Sequence, residues 1–151
     1  MDLRFVRAKV GSCRVLIAIL AGVGCCQYVA GQVLEQARVT QVVNDVKLLP
    51  SQLAARPAAV NDQVKQGTAV RTGTDSRTEL TFTDSTITRL GANTVFSFKP
   101  GTRDVKIKSG DILLQIPPGA PEARISTAAV SASISGGTAI FDAATGKLMI
   151  L

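Results

Sequence analysis

Histidine is absent from the 151 residues, which removes imidazole as a general base, as a zinc ligand and as a member of any catalytic triad. The three cysteines, Cys13, Cys25 and Cys26, all fall near the N-terminus, so a chain shortened past them holds no thiol chemistry and no thiolate metal site. Carboxylates, hydroxyls and lysines remain. Asp75, Glu79 and Asp84 come nearest to a catalytic constellation, because glycoside hydrolysis needs two acids about 5 to 10 Å apart in a cleft. Strand alternation instead turns Glu79 to the wet face, and Asp75 and Asp84 fall in turns, where aspartate side chains bond nearby amides. Gly136-Gly137-Thr138 is not a phosphate loop. The segment ending Gly146-Lys147 has Phe141 where the first glycine of such a loop should stand and Leu148 where a magnesium-binding hydroxyl belongs. No alternating Asp and Asn run suits calcium. The expectation is a protein that is not an enzyme, with no cofactor and no metal.

The segment that must deliver such a chain comes first. Arg4, Arg7, Lys9 and Arg14 precede an apolar run from Val15 to Gly24, and the small residues Ala30 and Gly31 follow. That is the layout of a secretory signal peptide, with a cut expected near Gly31. An uncleaved anchor over residues 15–31 is the alternative, interrupted only by Gln27 and near the lower limit of about 17 residues for a spanning helix. The basic residues ahead of it would hold the N-terminus inside. Cys25 also permits a lipoprotein reading, although Gly22-Val23-Gly24 is a poor lead-in. Residues 1–31 are therefore read as signal peptide or membrane anchor, and the rest as periplasmic or secreted, or held outside the inner membrane.

Charge follows from that division. The whole chain carries a formal +6; without residues 1–31, thirteen Lys and Arg face ten Asp and Glu, a net +3. The basic residues that remain are scattered, Trp is absent and Tyr28 is the single tyrosine, so base stacking on a basic stripe has little support. No nucleic-acid partner is expected, and membrane contact is expected through the N-terminal segment alone. Without disulfides, stability must come from apolar burial and backbone pairing, which a domain of about 120 residues can supply.

From Arg38 onward, short alternating stretches are separated by turn chemistry every 8 to 12 residues or so, the pattern of an all-β domain. Leu80 and Phe82 alternate with Glu79, Thr81 and Thr83, and Val105 and Ile107 with Lys106 and Lys108, as in strands with one wet face. Ile112, Leu114 and Ile116 repeat the period, and Leu113 opposite them predicts a strand covered on both sides. Val130, Ala132 and Ile134 alternate with serines. Ser51 to Ala59, with Pro50 and Pro57, reads as an irregular excursion. Lys147 to Leu151 reads as a strand that begins and stops, which suggests a shortened version of a longer domain.

The motifs between these strands resemble those of a FecR domain. The resemblance rests on Gly67 to Gly73 (G-x-x-V-R-T-G), Asp84-Ser85-Thr86, Arg89-Leu90-Gly91-Ala92-Asn93-Thr94, Gly110 to Leu114, and Thr127 to Thr138 ending in Gly137-Thr138. It covers about Arg38 to Asp142. The fold expected is all-β, an elongated layered or β-helix-like sheet domain over residues 38–151. The function the resemblance implies is a non-catalytic exported module for sensing or protein interaction in the bacterial cell envelope; the alternative is a structural or carbohydrate-associated envelope module with no signalling role. Partners would be another envelope protein or an anionic glycan. Two departures stand out. Ser85 replaces the glycine usual in that turn, which argues against a two-residue type I′ hairpin there. About fourteen residues precede the apolar run, too few for the cytoplasmic sigma-factor-binding region of FecR-like transmembrane regulators. Arg89, Asn93 and Thr94 are the candidate contacts for a ligand or partner, with Arg89 expected to bind turn carbonyls or to pair with Asp84 or Asp111. Gly73, Asp84, Gly91, Gly110, Asp111 and Gly137 are the expected structural turns.

Overall fold

Period-2 alternation carries directly into strands. A computed structural model describes residues 34–65 and 67–151; the leader or anchor expected at residues 1–31 lies outside them. In chain order the strands are β1 (Ala37–Val43), β2 (Val46–Pro50), β3 (Arg56–Pro57), β4 (Gln63–Val64), β5 (Thr68–Thr72), β6 (Arg77–Phe82), β7 (Ile87–Leu90), β8 (Val95–Phe98), β9 (Asp104–Ser109), β10 (Asp111–Ile116), β11 (Ala123–Ser126), β12 (Ser131–Ile134), β13 (Gly137–Asp142) and β14 (Lys147–Ile150). Among the described residues no helix forms, and the all-β expectation stands.

The strands make two seven-stranded sheets, the first ordered β14-β13-β10-β7-β6-β1-β4 and the second β12-β11-β9-β8-β5-β2-β3. Neighbours run antiparallel except β9 and β11, so the layers are two facing sheets and not the parallel coils of a β-helix. The chain changes sheet repeatedly: β1 to β2, β5 to β6, β7 to β8 and β9 to β10 each cross from one to the other. Every crossing needs a sharp corner, which accounts for the density of Gly, Asn, Asp and Thr between strands.

Inward-facing residues of both sheets form one apolar core, with Leu80, Leu90, Ile112, Leu114 and Phe141 from the first and Leu48, Val70, Phe96, Ile107 and Ile125 from the second. Fully burying each such side chain stabilises by roughly 1.5–3 kcal/mol. Phe82 of the first sheet meets Phe98 of the second edge to face, with centroids 5.1 Å apart and planes at 81°, a geometry that adds about 0.5–1.5 kcal/mol beyond area burial.

Two expectations change. Leu113 is half-buried on the outer face of the first sheet, where β10 lies between Arg89 of β7 and Ile140 of β13; the shielding comes from neighbours in the same sheet and not from a second covering layer. In the Val130-Ala132-Ile134 set, only Ile134 is buried and Val130 is 40% exposed, because β12 is the edge strand of its sheet and Val130 precedes it.

At the β6–β7 hairpin the Phe82 N–H donates to the Thr86 carbonyl at 2.9 Å and the Ser85 N–H to the Phe82 carbonyl at 3.0 Å. The loop is thus three residues, Thr83-Asp84-Ser85, with Ser85 left-handed at φ 66°. This is a type I turn closed by a bulge, not a two-residue type I′ turn. Serine stands where glycine would be strain-free. Ser85→Gly is therefore expected to raise stability by about 0.5–1 kcal/mol, or roughly 2–5 °C in melting temperature; an unchanged or lower midpoint in thermal denaturation would contradict that account.

Candidate functional site

The crossings between the sheets stack at one end of the sandwich into a hydrogen-bonded seam, and most of the motif residues lie in it. Gly73 N–H donates to the Asp45 carbonyl at 2.8 Å, Asn93 N–H to the Gly73 carbonyl at 3.1 Å, Gly91 N–H to the Asp111 carbonyl at 2.9 Å and Ala143 N–H to the Gly110 carbonyl at 3.0 Å. Two buried threonines stitch the corners together. The Thr72 hydroxyl donates to the Gly91 carbonyl at 2.6 Å and accepts the Thr94 N–H at 2.9 Å. The Thr94 hydroxyl accepts the Asp111 N–H at 3.2 Å and lies 3.2 Å from the Asp111 carbonyl. Such bonds satisfy backbone groups that the change of sheet would otherwise strand in the interior.

Gly73, Gly91, Asn93, Thr94, Gly110 and Asp111 are therefore brought together, while Asp84 and Gly137 are not. Asp84 sits in the hairpin at the far end of β6, and Gly137 opens β13 opposite Ile116, also far from the seam. Thr94 is fully buried, which leaves it no surface to offer a partner. Asn93 is exposed and left-handed at φ 53°, and the Ser109 hydroxyl donates to its carbonyl at 2.9 Å. Gly110 is the tightest point: at φ +82°, a side chain there would bring its Cβ within 2.2 Å of Thr94 Oγ1 and 2.6 Å of Thr94 Cα.

Arg89 pairs with neither Asp84 nor Asp111, nor does it cap a turn. Its Nε donates to Glu79 Oε2 at 2.7 Å, since Arg89 and Glu79 are directly opposite on β7 and β6 and share the outer face. Thr40 on β1 completes the row, donating to Glu79 Oε1 at 2.8 Å. The Arg89 guanidinium, and next the Thr40 hydroxyl, hold the Glu79 carboxyl below the ordinary glutamate range. With Arg89 half exposed, a pair of this kind contributes a few tenths to about 1 kcal/mol.

The partner of Asp84 is Arg103, which was not among the sequence candidates. Asp84 belongs to the β6–β7 hairpin of the first sheet and Arg103 to the β8–β9 connection of the second, and the two meet in a salt bridge with side chains 1% and 6% exposed. Thr86 binds both. Its N–H donates to Asp84 Oδ1 at 2.9 Å and its hydroxyl to Oδ2 at 2.8 Å, while Arg103 Nη2 reaches the same hydroxyl at 3.1 Å. Burial pushes the Asp84 carboxyl up, but the Arg103 and Thr86 hydrogen bonds outweigh it and hold the pKa below the ordinary aspartate value. A signal was present in the sequence: Leu80, Phe82 and Asp84 share one parity, and so do Arg103, Val105 and Ile107, so alternation aims both charges inward.

The same geometry disposes of a carboxylate dyad. Asp75 and Asp84 flank the two ends of the six-residue strand β6, roughly 20 Å or more apart, and Glu79 lies between them on the outer face while Asp84 is buried against Arg103, so these three acids do not share the cleft that glycoside hydrolysis uses.

Residues 68–150, more than half of the chain, match the FecR protein family. The matched span holds the seam glycines, Asp84 and Arg103, and leaves β1 to β4 outside. No curated protein and no solved structure matches the chain.

Removing one member of a buried pair strands the other charge, at a cost of about 3–5 kcal/mol. Arg103→Met is expected to lose that much in denaturant unfolding, and Asp84→Asn combined with Arg103→Met to recover part of it; additive losses would deny the coupling. Because folding lowers the Asp84 pKa, the ionised pair stabilises the native state above the ordinary aspartate value of about 3.9 and is lost as pH falls through the lower folded value. Asp84→Asn is thus expected to start weaker at neutral pH and to lose less stability than the parent chain as pH falls below the ordinary aspartate value. At the seam, Gly110→Ala is expected to destabilise by more than about 3 kcal/mol, since the backbone of Thr94 would have to move; a loss below 1 kcal/mol would mean that the corner relaxes freely.

Proposed function

The chain belongs to the FecR protein family, and on that premise we propose that it is a non-catalytic binding module of the bacterial cell envelope, exported by its N-terminal segment, that senses or relays through contact with another protein. The family is a regulatory and signalling one. One observation carries the reading beyond membership: the motif residues Gly73, Gly91, Thr94, Gly110 and Asp111 have their backbone groups, and Thr94 its hydroxyl, engaged in the internal seam, so they build a scaffold and not a reaction centre. What the scaffold offers outward is a broad sheet face, the kind of surface that proteins use for partners. Membership and scaffold together favour recognition over turnover.

A second reading is a carbohydrate-associated envelope module without a signalling role. It is favoured by an open cleft beside β1 and β6 in which Gln36, Arg38, Thr40, Gln63, Thr81 and Thr83 surround Ala37 and Phe82, a mixed lining whose amide, hydroxyl and guanidinium groups suit an anionic glycan.

Site-directed photo-crosslinking from the outer face of the first sheet, in cells expressing the full chain, separates the two. The expected result is a discrete adduct with an envelope protein and a domain found outside the cytoplasm. Sedimentation with purified cell-wall polysaccharide and no protein adduct would favour the second reading, and a chain that remains monomeric and partnerless in crosslinked envelope would overturn the first.

A further inference from the structure

Gly91 has no backbone reason to be glycine. It lacks a positive φ, unlike Gly110, and a Cβ built on it would meet its nearest neighbours, the Asp111 carbonyl oxygen and Cβ, at 3.4 and 3.5 Å, ordinary contact distances. What a side chain there would do is fill a hollow. Leu90 pairs with Thr78 on one side and Ile112 on the other, so Gly91, one residue on, lies between Arg77 and Asp111 on the outer face of the first sheet. The next row across that face runs Glu79, Arg89, Leu113, Ile140, Met149. The result is a hollow of about 250 Å³ with Leu113 and Ile140 on its apolar side and Arg77 and Arg89 on the other.

We propose that this hollow is the partner-binding site of the module and that its occupant is an extended segment of another protein that presents a bulky aliphatic or aromatic side chain beside a carboxylate. The inference rests on the binding-module reading and supplies its site. Size and charge select the occupant. A volume below the roughly 300–1,000 Å³ of small-molecule pockets suits one side chain. Arg77 of β6 makes no ion pair among the described residues, which leaves its rim cationic, and beside it Glu79 holds the Arg89 guanidinium of β7 in place, a preorganised neighbour. Asp111 on the opposite rim repels an acid there. The occupant is thereby oriented, with its carboxylate over Arg77 and its apolar side chain over Leu113 and Ile140.

The test selects displayed random seven-residue peptides on the intact chain, then measures the enriched sequences as synthetic peptides against the parent chain, Arg77→Glu and Gly91→Ala. Arg77 is exposed and the Gly91 site accepts a Cβ, so both variants are expected to keep the parent's circular dichroism and melting temperature. The expected result is enrichment of Leu, Ile, Met or Phe within two positions of Asp or Glu, with affinity falling at least about tenfold in Arg77→Glu and several-fold in Gly91→Ala. Peptides without that pattern, equal binding to all three chains, or binding to phosphatidylglycerol vesicles that Arg77→Glu abolishes while no peptide binds, would each overturn it. In cells, crosslinks that survive both substitutions refute this site and leave the module reading standing, whereas no crosslinks from the parent chain refute the module itself.

Discussion

The sandwich depends on two sheets being held face to face at both ends, and at one end this is done by a buried charge pair. Asp84 and Arg103 come from hairpins of different sheets and meet with almost no solvent contact. A pair buried this deeply is costly to desolvate and repays that cost only when its remaining hydrogen-bonding capacity is met. Thr86 helps to meet it, donating to both carboxylate oxygens while accepting from the guanidinium. The pair gives specificity of alignment: hairpins from two sheets that share only apolar contacts could slide, whereas an ion pair with defined geometry admits one register. Phe82 and Phe98, each close in sequence to one member of the pair, pack edge to face across the same gap.

At the opposite end the solution is different in kind. The seam uses neutral backbone hydrogen bonds, threonine hydroxyls and the missing side chain of Gly110 to let four changes of sheet stack closely. The Thr72 and Thr94 hydroxyls are short enough to reach carbonyls and amides of neighbouring corners without adding bulk. A crossing strand must leave one ladder before joining the next, so its backbone groups need partners just there. The motif residues that carry the family resemblance are largely those partners, which gives glycine, asparagine and threonine at these corners a structural role.

With both ends occupied by architecture, the proposed recognition is assigned to the faces. The outer face of the first sheet is ordered by cross-strand rows in which polar Thr40, Glu79 and Arg89 give way to Leu113, Ile140 and Met149. Such a row is amphipathic along the hydrogen-bonding direction, not along a strand, and so it appears only once the strand order is known. That arrangement places the Arg89–Glu79 ion pair next to apolar surface, with the carboxyl held below its ordinary range by the guanidinium and by Thr40.

Alternation alone determined the strands: Leu80 with Phe82, Val105 with Ile107, and Ile112 with Leu114 and Ile116 are buried as their period requires, because side chains two apart on a pleated chain must share a face. The turn residues were legible locally as well, from their own side-chain and backbone chemistry. Strand order was not, because pairing between β10 and β7, or β9 and β11, joins residues far apart in the chain, and no local pattern encodes which ladders form. The partner of Arg89 was misassigned on that account, Leu113 was credited with a second covering layer, and Arg103 went unnoticed although its parity pointed inward. A local sequence fixes which way a side chain faces; only the assembled sheets decide what it meets there.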